Sequence, residues 1–232
     1  MGKECLHPAA DTTQHMTCRR RALTPGSRGR GSCTVRLQTA WWSVVMAPIN
    51  GICKMEEVLI KCVVGEILVS GCKEGIHEIK LQNTAVLEPR AKEDSATFKV
   101  CEGPQEMIPS LKQCTSWLQA YFCEPWMIEK LPIPAFHHPL FDKDSFNKTV
   151  LLALMKDVKM GQTVTYKELA EAVGNVNAAR AVGGAMRSNP VPLIIPCHRV
   201  ICSDGNIGNY SGGKKNDVKR WLLAHEKHVK DM

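Results

Sequence analysis

Three short runs rich in Val, Ile and Leu follow one another early in the chain and limit its possible folds more than any other feature. The runs EVLIKCVV, EILVSGC and IHEIKL lie within residues 57–82, and Gly65 and Gly75 separate them. Short apolar runs with glycines between them are typical of neighbouring strands joined by turns. This segment therefore predicts a small antiparallel sheet.

Most of the chain beyond these runs favours helices. The stretch SLKQCTSWLQAYF (110–122) repeats its apolar residues at spacings of three and four, which predicts a helix. The stretch SFNKTVLLALMKDV (145–158) also has apolar residues at helical spacing, and Ser145 at its start is the expected helix N-cap. Residues 83–104 are polar and without pattern, so we expect a loop, and the proline-rich LPIPAFHHP (131–139) predicts a linker between two domains.

Two short helices are predicted close together in the second half of the chain. They are TYKELAEAVG (165–174), closed by Gly174, and NAARAVGGAMRS (177–188), and a last helix covers about 216–226. Two helices joined by a turn that contains glycine have the outline of a helix-turn-helix. Many helical hairpins share this outline, so it indicates DNA binding without establishing it.

The first 45 residues differ from the rest of the chain. CRRRALTPGSRGRGS mixes Arg, Gly, Ser and Pro without apolar periodicity, which predicts disorder. Its many arginines and few acidic residues resemble a mitochondrial presequence. The simpler interpretation is a non-structural extension, or translation from an upstream start codon with Met46 as the natural start. Much of the net charge of +7 lies in this segment, so net charge alone is weak evidence for nucleic-acid binding.

Cysteine content and hydropathy narrow the class of protein. Eleven cysteines is an odd number, so disulfide pairing could not be complete, and we expect a reducing compartment with some thiols buried, metal-bound or reactive. No stretch of 18 or more apolar residues is present, so we expect no membrane partner.

Cys197, between Pro196 and His198 and after the apolar run LII, is the main candidate for chemistry. A nucleophilic cysteine needs a base to take its proton. Neighbouring side chains in an extended chain point in opposite directions, so His198 would need a turn or a bridging water to reach the thiol. Glu226 or Asn189 could orient that histidine. The alternative is a buried core cysteine.

Two further segments allow a functional or an ordinary interpretation. The small residues and glycines of NAARAVGG suit tight helix packing or close approach to a DNA groove, with Arg180 as a long probe. The loop IGNYSGG (207–213) suits a wall around a planar ligand or an ordinary surface turn.

Several scattered residues are of types that bind tetrahedral zinc. Their spacing does not form a compact pair, so the sequence pattern alone is weak, and other cysteines and histidines compete. The four candidates are Cys53, Cys72, His77 and His137, and the competitors are Cys62, Cys114 and His138.

The segments IPCHRVI, NAARAVGGAMRSNP, GNYSGG and WLLAHE together resemble the 6-O-alkylguanine-DNA alkyltransferase family, in its vertebrate type, over about residues 53–226. The resemblance implies an α+β protein. We expect a disordered extension at 1–50 and an N-terminal α/β domain with an antiparallel sheet, stabilised by zinc, at 51–135. A helical C-terminal domain with a winged-helix-like helix-turn-helix is expected at 136–228.

The resemblance also implies a function. Such a protein removes alkyl groups from O6 of guanine, and less well from O4 of thymine, in double-stranded DNA. It flips the base out through the minor groove and transfers the group once, to its own cysteine. We expect a nuclear monomer with structural zinc and no organic cofactor; cooperative binding on DNA is left open.

By the same resemblance, the site residues acquire roles. Cys197 accepts the alkyl group, His198 removes its proton through a water, and Glu226 orients His198. Asn189 braces the cysteine segment, and Tyr166 pushes the 3′ phosphate and donates a proton toward guanine N3.

The resemblance assigns further residues to DNA and base contacts. Arg180 takes the place of the flipped base, and Ala178 and Ala179 face the groove. The remaining expected DNA contacts are Thr165, Lys167 and Ser211. The expected pocket residues are Met186, Pro192, Val200 (through its carbonyl), Tyr210 and Ser211.

The zinc candidates fall on the zinc positions of animal members. Two departures from the family pattern lie in GGKKNDVKRW. Two residues are added there, which puts Lys214 and Lys215 near the pocket rim and makes inhibitor sensitivity uncertain. Arg220 replaces an acidic residue before the tryptophan.

Overall fold

The computed structural model describes residues 53–82 and 98–230, which belong to one compact unit. The predicted extension at 1–50 and most of the predicted loop at 83–104 lie outside the described residues. Three strands, β1 (Glu56–Cys62), β2 (Gly65–Cys72) and β3 (Gly75–Gln82), form the antiparallel sheet that the apolar runs predict. The fold is α+β, as expected.

A fourth strand lies within the segment predicted to be a loop. β4 (Lys99–Glu102) pairs antiparallel with β1 and gives the sheet order β3-β2-β1-β4. All four of its residues are exposed, so it has no apolar alternation that the sequence could reveal. The prediction of a loop was wrong at these positions.

Five α-helices in the described residues follow the predicted segments, and a further one, Pro139–Asp142, was not predicted. They are α1 (Pro109–Cys123), α2 (Pro139–Asp142), α3 (Phe146–Asp157), α4 (Tyr166–Ala172), α5 (Ala179–Arg187) and α6 (Asn216–Lys230). The Ser145 side chain accepts from the Lys148 amide, so the predicted N-cap is confirmed. Helix α1 buries Leu111, Leu118 and their neighbours in the same core as the apolar face of the sheet.

The proline-rich linker is held against the sheet rather than spanning a gap. Ile76 donates its amide to the Ala135 carbonyl, and His137 donates its amide to the Ile76 carbonyl, each at 2.8 Å. A Cβ at Gly75 would stand 2.7 Å from the Ala135 oxygen, so only glycine allows this approach. The boundary between two domains at 135/136 stays a prediction.

A short parallel pair links the two ends of the candidate site. β5 (Val164–Thr165) lies directly before α4, and β6 (Val200–Ile201) follows the single helical turn Cys197–Arg199. The first residues of α4 are therefore fixed beside the residues that follow Cys197. Within the described residues, no helix has the length and apolar character needed to cross a bilayer.

Candidate active site

Cys197 lies at the start of a 3-10 turn that the preceding loop presents to a cleft. Asn189 holds this loop from inside: its Nδ2 donates to the Ile195 carbonyl at 2.8 Å, and its Oδ1 accepts from the Val191 amide at 3.1 Å. Leu193, in the same loop, is fully buried with a φ of 74°, a conformation that a leucine adopts only under constraint. The path of the chain into Cys197 is thus fixed by buried contacts.

The Cys197 thiol is almost completely buried, with 8% of the residue exposed. Burial raises its pKa, because a thiolate is poorly solvated in an apolar surrounding. Contacts with the side chains of Asn189 and Tyr210 and the positive charge of Lys219 offset part of this increase. The thiol therefore needs a nearby base to react at neutral pH.

His198 is a suitable base. It is fully buried, and its Nε2 lies 2.7 Å from Oε1 of Glu226. Burial lowers the pKa of His198, the charges of Arg199 and Lys219 lower it further, and the Glu226 carboxylate offsets only part of this decrease, so the ring is neutral at pH 7. With Nε2–H donated to the carboxylate, Nδ1 is the proton acceptor, and this buried atom has no protein hydrogen-bond partner among the described residues.

Glu226 is the centre of a buried polar cluster that the sequence did not predict in full. Arg199 donates to both of its oxygens, from Nε at 2.7 Å and from a terminal nitrogen at 2.9 Å. The Tyr121 hydroxyl donates at 2.7 Å and the Gly161 amide at 3.3 Å. Burial alone would raise the pKa of Glu226, but the hydrogen bond from His198 and the hydrogen bonds and positive charge of Arg199 hold it far below its usual range. The carboxylate therefore stays charged at neutral pH and anchors the histidine.

Lys219 is a second residue that sequence reasoning missed. It is 1% exposed, and its Nζ donates to the Val200 carbonyl at 2.7 Å. Burial lowers the pKa of Lys219, and the neighbouring Cys197 and Cys202 thiols raise it in part. The sequence did contain an indication: Lys219 lies on the same face of α6 as the buried Val218 and Leu222, whereas an exposed lysine would lie on the opposite face.

A cleft of about 860 Å³ opens above Cys197. Several residues assigned by resemblance line it: Tyr166, Ala179, Arg180, Met186, Asn189, Pro192, Tyr210 and Ser211. Val200 does not; it is buried, and its carbonyl accepts from Lys219. Lys215, expected near the pocket rim, also lines the cleft, and so do residues 79–81 of β3, which no sequence pattern indicated. Lys214, the other residue expected at the rim, is not part of the lining.

Helices α4 and α5 flank this cleft. Thr165 and Glu168 form a capping box at the start of α4, and Gly174, with a φ of 79°, lies in the turn that ends it. Ala178 is the N-cap position of α5, and Lys167 is an exposed residue of α4 that faces Glu171 at 3.8 Å. Thr165, Lys167 and Ala178 are not part of the cleft lining.

The glycines of α5 help to separate the two interpretations of NAARAVGG. A Cβ at Gly183 would make an ordinary contact, 3.9 Å from the Tyr166 ring. A Cβ at Gly184 would meet nothing within 4 Å. Close packing inside this chain therefore does not require a glycine at position 184.

Tyr166 projects into the cleft from the first turn of α4. Burial raises the pKa of Tyr166, and the neighbouring Cys202 and Cys197 thiols raise it further. The phenol therefore remains protonated at neutral pH and can donate a proton to a ligand in the cleft.

The four zinc candidates converge at the junction of the sheet and the linker. Cys53 and Cys72 place their sulfurs 3.5 and 3.1 Å from Nδ1 of His137. Nε2 of His77 lies 3.2 Å from both the Cys72 sulfur and the His137 Nδ1. All four donor atoms lie within 4.8 Å of one another. The competing residues Cys62, Cys114 and His138 are not part of this group.

The fold and the site together define the class of methyltransferases that use one of their own cysteines as the acceptor. Residues 55–135 match the ribonuclease-like domain of 6-O-methylguanine DNA methyltransferase, and residues 145–228 match its DNA binding domain. The chain belongs to the 6-O-methylguanine DNA methyltransferase family.

Relatives and solved structures agree with this assignment. The chain is 50% identical over 176 residues to a methylated-DNA--protein-cysteine methyltransferase of Homo sapiens, covering 76% of this chain and 82% of that protein. It is 52% identical over 174 residues to one of Cricetulus griseus, covering 75% and 83%. An O6-methylguanine methyltransferase structure from Mycobacterium tuberculosis matches with a TM-score of 0.54 and 26% identity, over 75% of this chain and 93% of that one.

Proposed function

We propose that this chain repairs DNA by moving an alkyl group from O6 of guanine to the sulfur of Cys197, once per protein molecule. One observation carries the proposal. His198 lies directly after Cys197 with Nε2 tied to Glu226, which leaves a buried Nδ1 as an acceptor without a protein partner among the described residues. A buried acceptor atom of this kind needs a partner, and a water bridging it to the thiol supplies one.

The chemical step is an in-line displacement. The Cys197 thiol gives its proton to His198 through the water, and the thiolate attacks the alkyl carbon. A sulfur–carbon bond forms as the carbon–O6 bond breaks, and the electron pair stays on guanine. Tyr166, whose raised pKa keeps it protonated, donates a proton toward N3, so the base leaves neutral. Solvent returns that proton to the phenol and removes the one from His198.

The stoichiometry follows from the product. The alkyl group ends as a thioether on Cys197, and no step in the site hydrolyses a thioether. Each molecule therefore reacts once. Donor and acceptor are the DNA and the protein itself, so the transfer needs no organic cofactor.

DNA recognition is assigned to helices α4 and α5 as a helix-turn-helix. Arg180 lies at the cleft and is exposed, so it can replace a flipped guanine in the base stack. The open space over Gly184 supports close approach of α5 to the DNA backbone. Ala178, Ala179, Thr165, Lys167 and Ser211 are the further DNA contacts of this proposal. A Mycobacterium tuberculosis relative, 25% identical with a TM-score of 0.53, was solved in complex with DNA.

The proposal includes a structural zinc ion held by Cys53, Cys72, His77 and His137. Zinc–sulfur bonds of about 2.3 Å and zinc–nitrogen bonds of about 2.0 Å put tetrahedral ligand atoms roughly 3.3–3.8 Å apart. Four of the six separations between these ligand atoms, 3.1–3.5 Å, are close to this range, and all six are within 4.8 Å. When bound, zinc would cross-link the β2–β3 turn to the linker and stabilise the fold.

We also propose that the protein acts as a monomer in the nucleus.

Transfer of a labelled methyl group tests the proposed function. The full chain is incubated with duplex DNA that carries 6-O-[³H]methylguanine, and peptide mapping locates the label. We expect label on Cys197 that stops near one equivalent and is lost in Cys197→Ala. Cys202→Ala is the matched control, because this second thiol also lines the cleft and its loss should leave transfer intact. Label retained on DNA, or released continuously into solution, would contradict the proposal.

A further inference from the structure

Residues 208–212 of the loop 208–213 and residues 79–81 of strand β3 both line the cleft that contains Cys197. Three hydrogen bonds anchor the loop at its base. The Tyr210 carbonyl accepts from the amides of Gly213 at 3.0 Å and Lys215 at 3.3 Å, and the Tyr210 amide donates to Oδ1 of Asn216 at 2.8 Å. The Lys215 side chain extends from this loop base to the sheet, where its Nζ donates to the Leu81 carbonyl.

β3 is an edge strand, and two contacts join its outer edge to the acceptor half of the protein. The Ile79 amide donates to the Pro190 carbonyl at 2.8 Å, next to Asn189. Two residues further along the same edge, the Leu81 carbonyl accepts a hydrogen bond from Nζ of Lys215. The wall formed by residues 79–81 is thus fixed at one end by backbone and at the other by one lysine side chain.

Lys215 differs from its neighbour Lys214 in this respect. Lys215 is half-buried and lines the cleft, and burial lowers its pKa. Lys214 is exposed and is not part of the lining. The two lysines carry the same charge a residue apart, so they form a natural pair for separating a contact effect from a charge effect.

The cleft of about 860 Å³ must hold the guanine together with its O6 substituent. Its size for large substituents therefore depends on where the loop and β3 are held. A cationic group in the wall also disfavours a large apolar substituent, since the ammonium would lose solvent without gaining a partner.

We propose that Lys215 is a specificity-determining residue that, by bonding the Leu81 carbonyl, narrows the cleft against bulky apolar O6 substituents. The proposal rests on the alkyl-transfer function proposed above. Small groups such as methyl leave the lysine bridge in place. Large groups such as benzyl require the bridge to open, and this opening slows their transfer.

Single-turnover rates with two probes test this role. O6-benzylguanine as the free base reports on the cleft without DNA binding, and a duplex with O6-methylguanine at saturating DNA reports on the basal reaction. In Lys215→Met, which keeps the length but loses the donor, we expect the benzyl rate to rise roughly 2- to 12-fold, the range of one net hydrogen bond. The methyl rate should stay within about twofold of wild type, because that group does not require opening.

Two further variants complete the design. Lys214→Met removes the same charge without touching Leu81 and should leave both rates unchanged. Lys215→Arg keeps a donor of sufficient length and should retain the wild-type preference. An unchanged benzyl rate in Lys215→Met, or an equal rise in Lys214→Met or Lys215→Arg, would overturn the specificity role while methyl transfer continues. Failure of wild-type protein to transfer methyl at all would instead overturn the proposed function.

Discussion

Two ion pairs with the same separation allow a direct test of the buried cluster around Glu226. Arg199 Nε and Glu226 Oε2 lie 2.7 Å apart, and both side chains are at most 9% exposed. Arg220 and Asp217 also lie 2.7 Å apart, but their side chains are 64% and 77% exposed. Glu226→Gln and Asp217→Asn each remove one negative charge from α6 and keep nearly the same shape.

The expected costs differ because of burial. Glu226→Gln leaves the Arg199 guanidinium buried without its counter-ion, which costs about 3–5 kcal/mol of unfolding free energy. For a folded unit of this size that corresponds to a fall in Tm of roughly 6–20 °C. Asp217→Asn breaks a solvated pair, so we expect a loss of at most about 1 kcal/mol.

Urea unfolding at pH 7, with Tm from calorimetry, measures both variants against wild type. The pKa of Glu226 is lowered in the folded state, so its contribution is complete above the unfolded value of 4.5 and declines as pH falls below it. The gap between wild type and Glu226→Gln should therefore shrink on acidification. Equal losses in the two variants, or a gap that grows toward low pH, would refute the argument from burial.

Three more predictions follow from the site. The charge of Lys219 lowers the pKa of Cys197, so in Lys219→Met the increase of the transfer rate with pH should shift to higher pH. A rate–pH profile identical to that of wild type would contradict this. Gly75→Ala should lower the Tm, because its Cβ would collide with the Ala135 oxygen. Gly184→Ala should stabilise the helix by up to about 1 kcal/mol, because its Cβ meets nothing, but should weaken DNA binding. Thermal melts measure the stability of both variants, and titration with DNA measures the binding. A chelator should lower the Tm of wild type but not of Cys72→Ala; equal Tm shifts would exclude a metal at this cluster.

Local patterns in the sequence predicted most of the fold. The spacing of apolar residues placed α1 within a residue of its observed bounds, and the glycine-separated runs gave three of the four strands of the sheet. Strand β4 was not predicted, because its exposed residues form a strand only by pairing with β1 and not through a local sequence pattern. Backbone partners from elsewhere in the chain can override local propensity in this way.

The site was predictable where residues resemble a known motif and not where burial decides their role. The association of Cys197, His198 and Glu226 followed from resemblance, and the geometry brings the histidine and glutamate together. The donors Tyr121 and Arg199 reach Glu226 from 105 and 27 residues away, so no spacing rule joins them to it. Their charges and hydroxyl could equally have faced solvent until the tertiary fold was known.

The bond between Tyr121 and Glu226 has a consequence for how this family's two regions can be recombined. Tyr121 lies in the region that matches the ribonuclease-like domain, and Glu226 lies in the region that matches the DNA binding domain. The region that carries Cys197 thus receives a hydrogen bond to its glutamate from the other region. A chimera that grafts this second region onto a foreign first region would have to supply a phenol at the same place, so the two regions are not interchangeable cassettes.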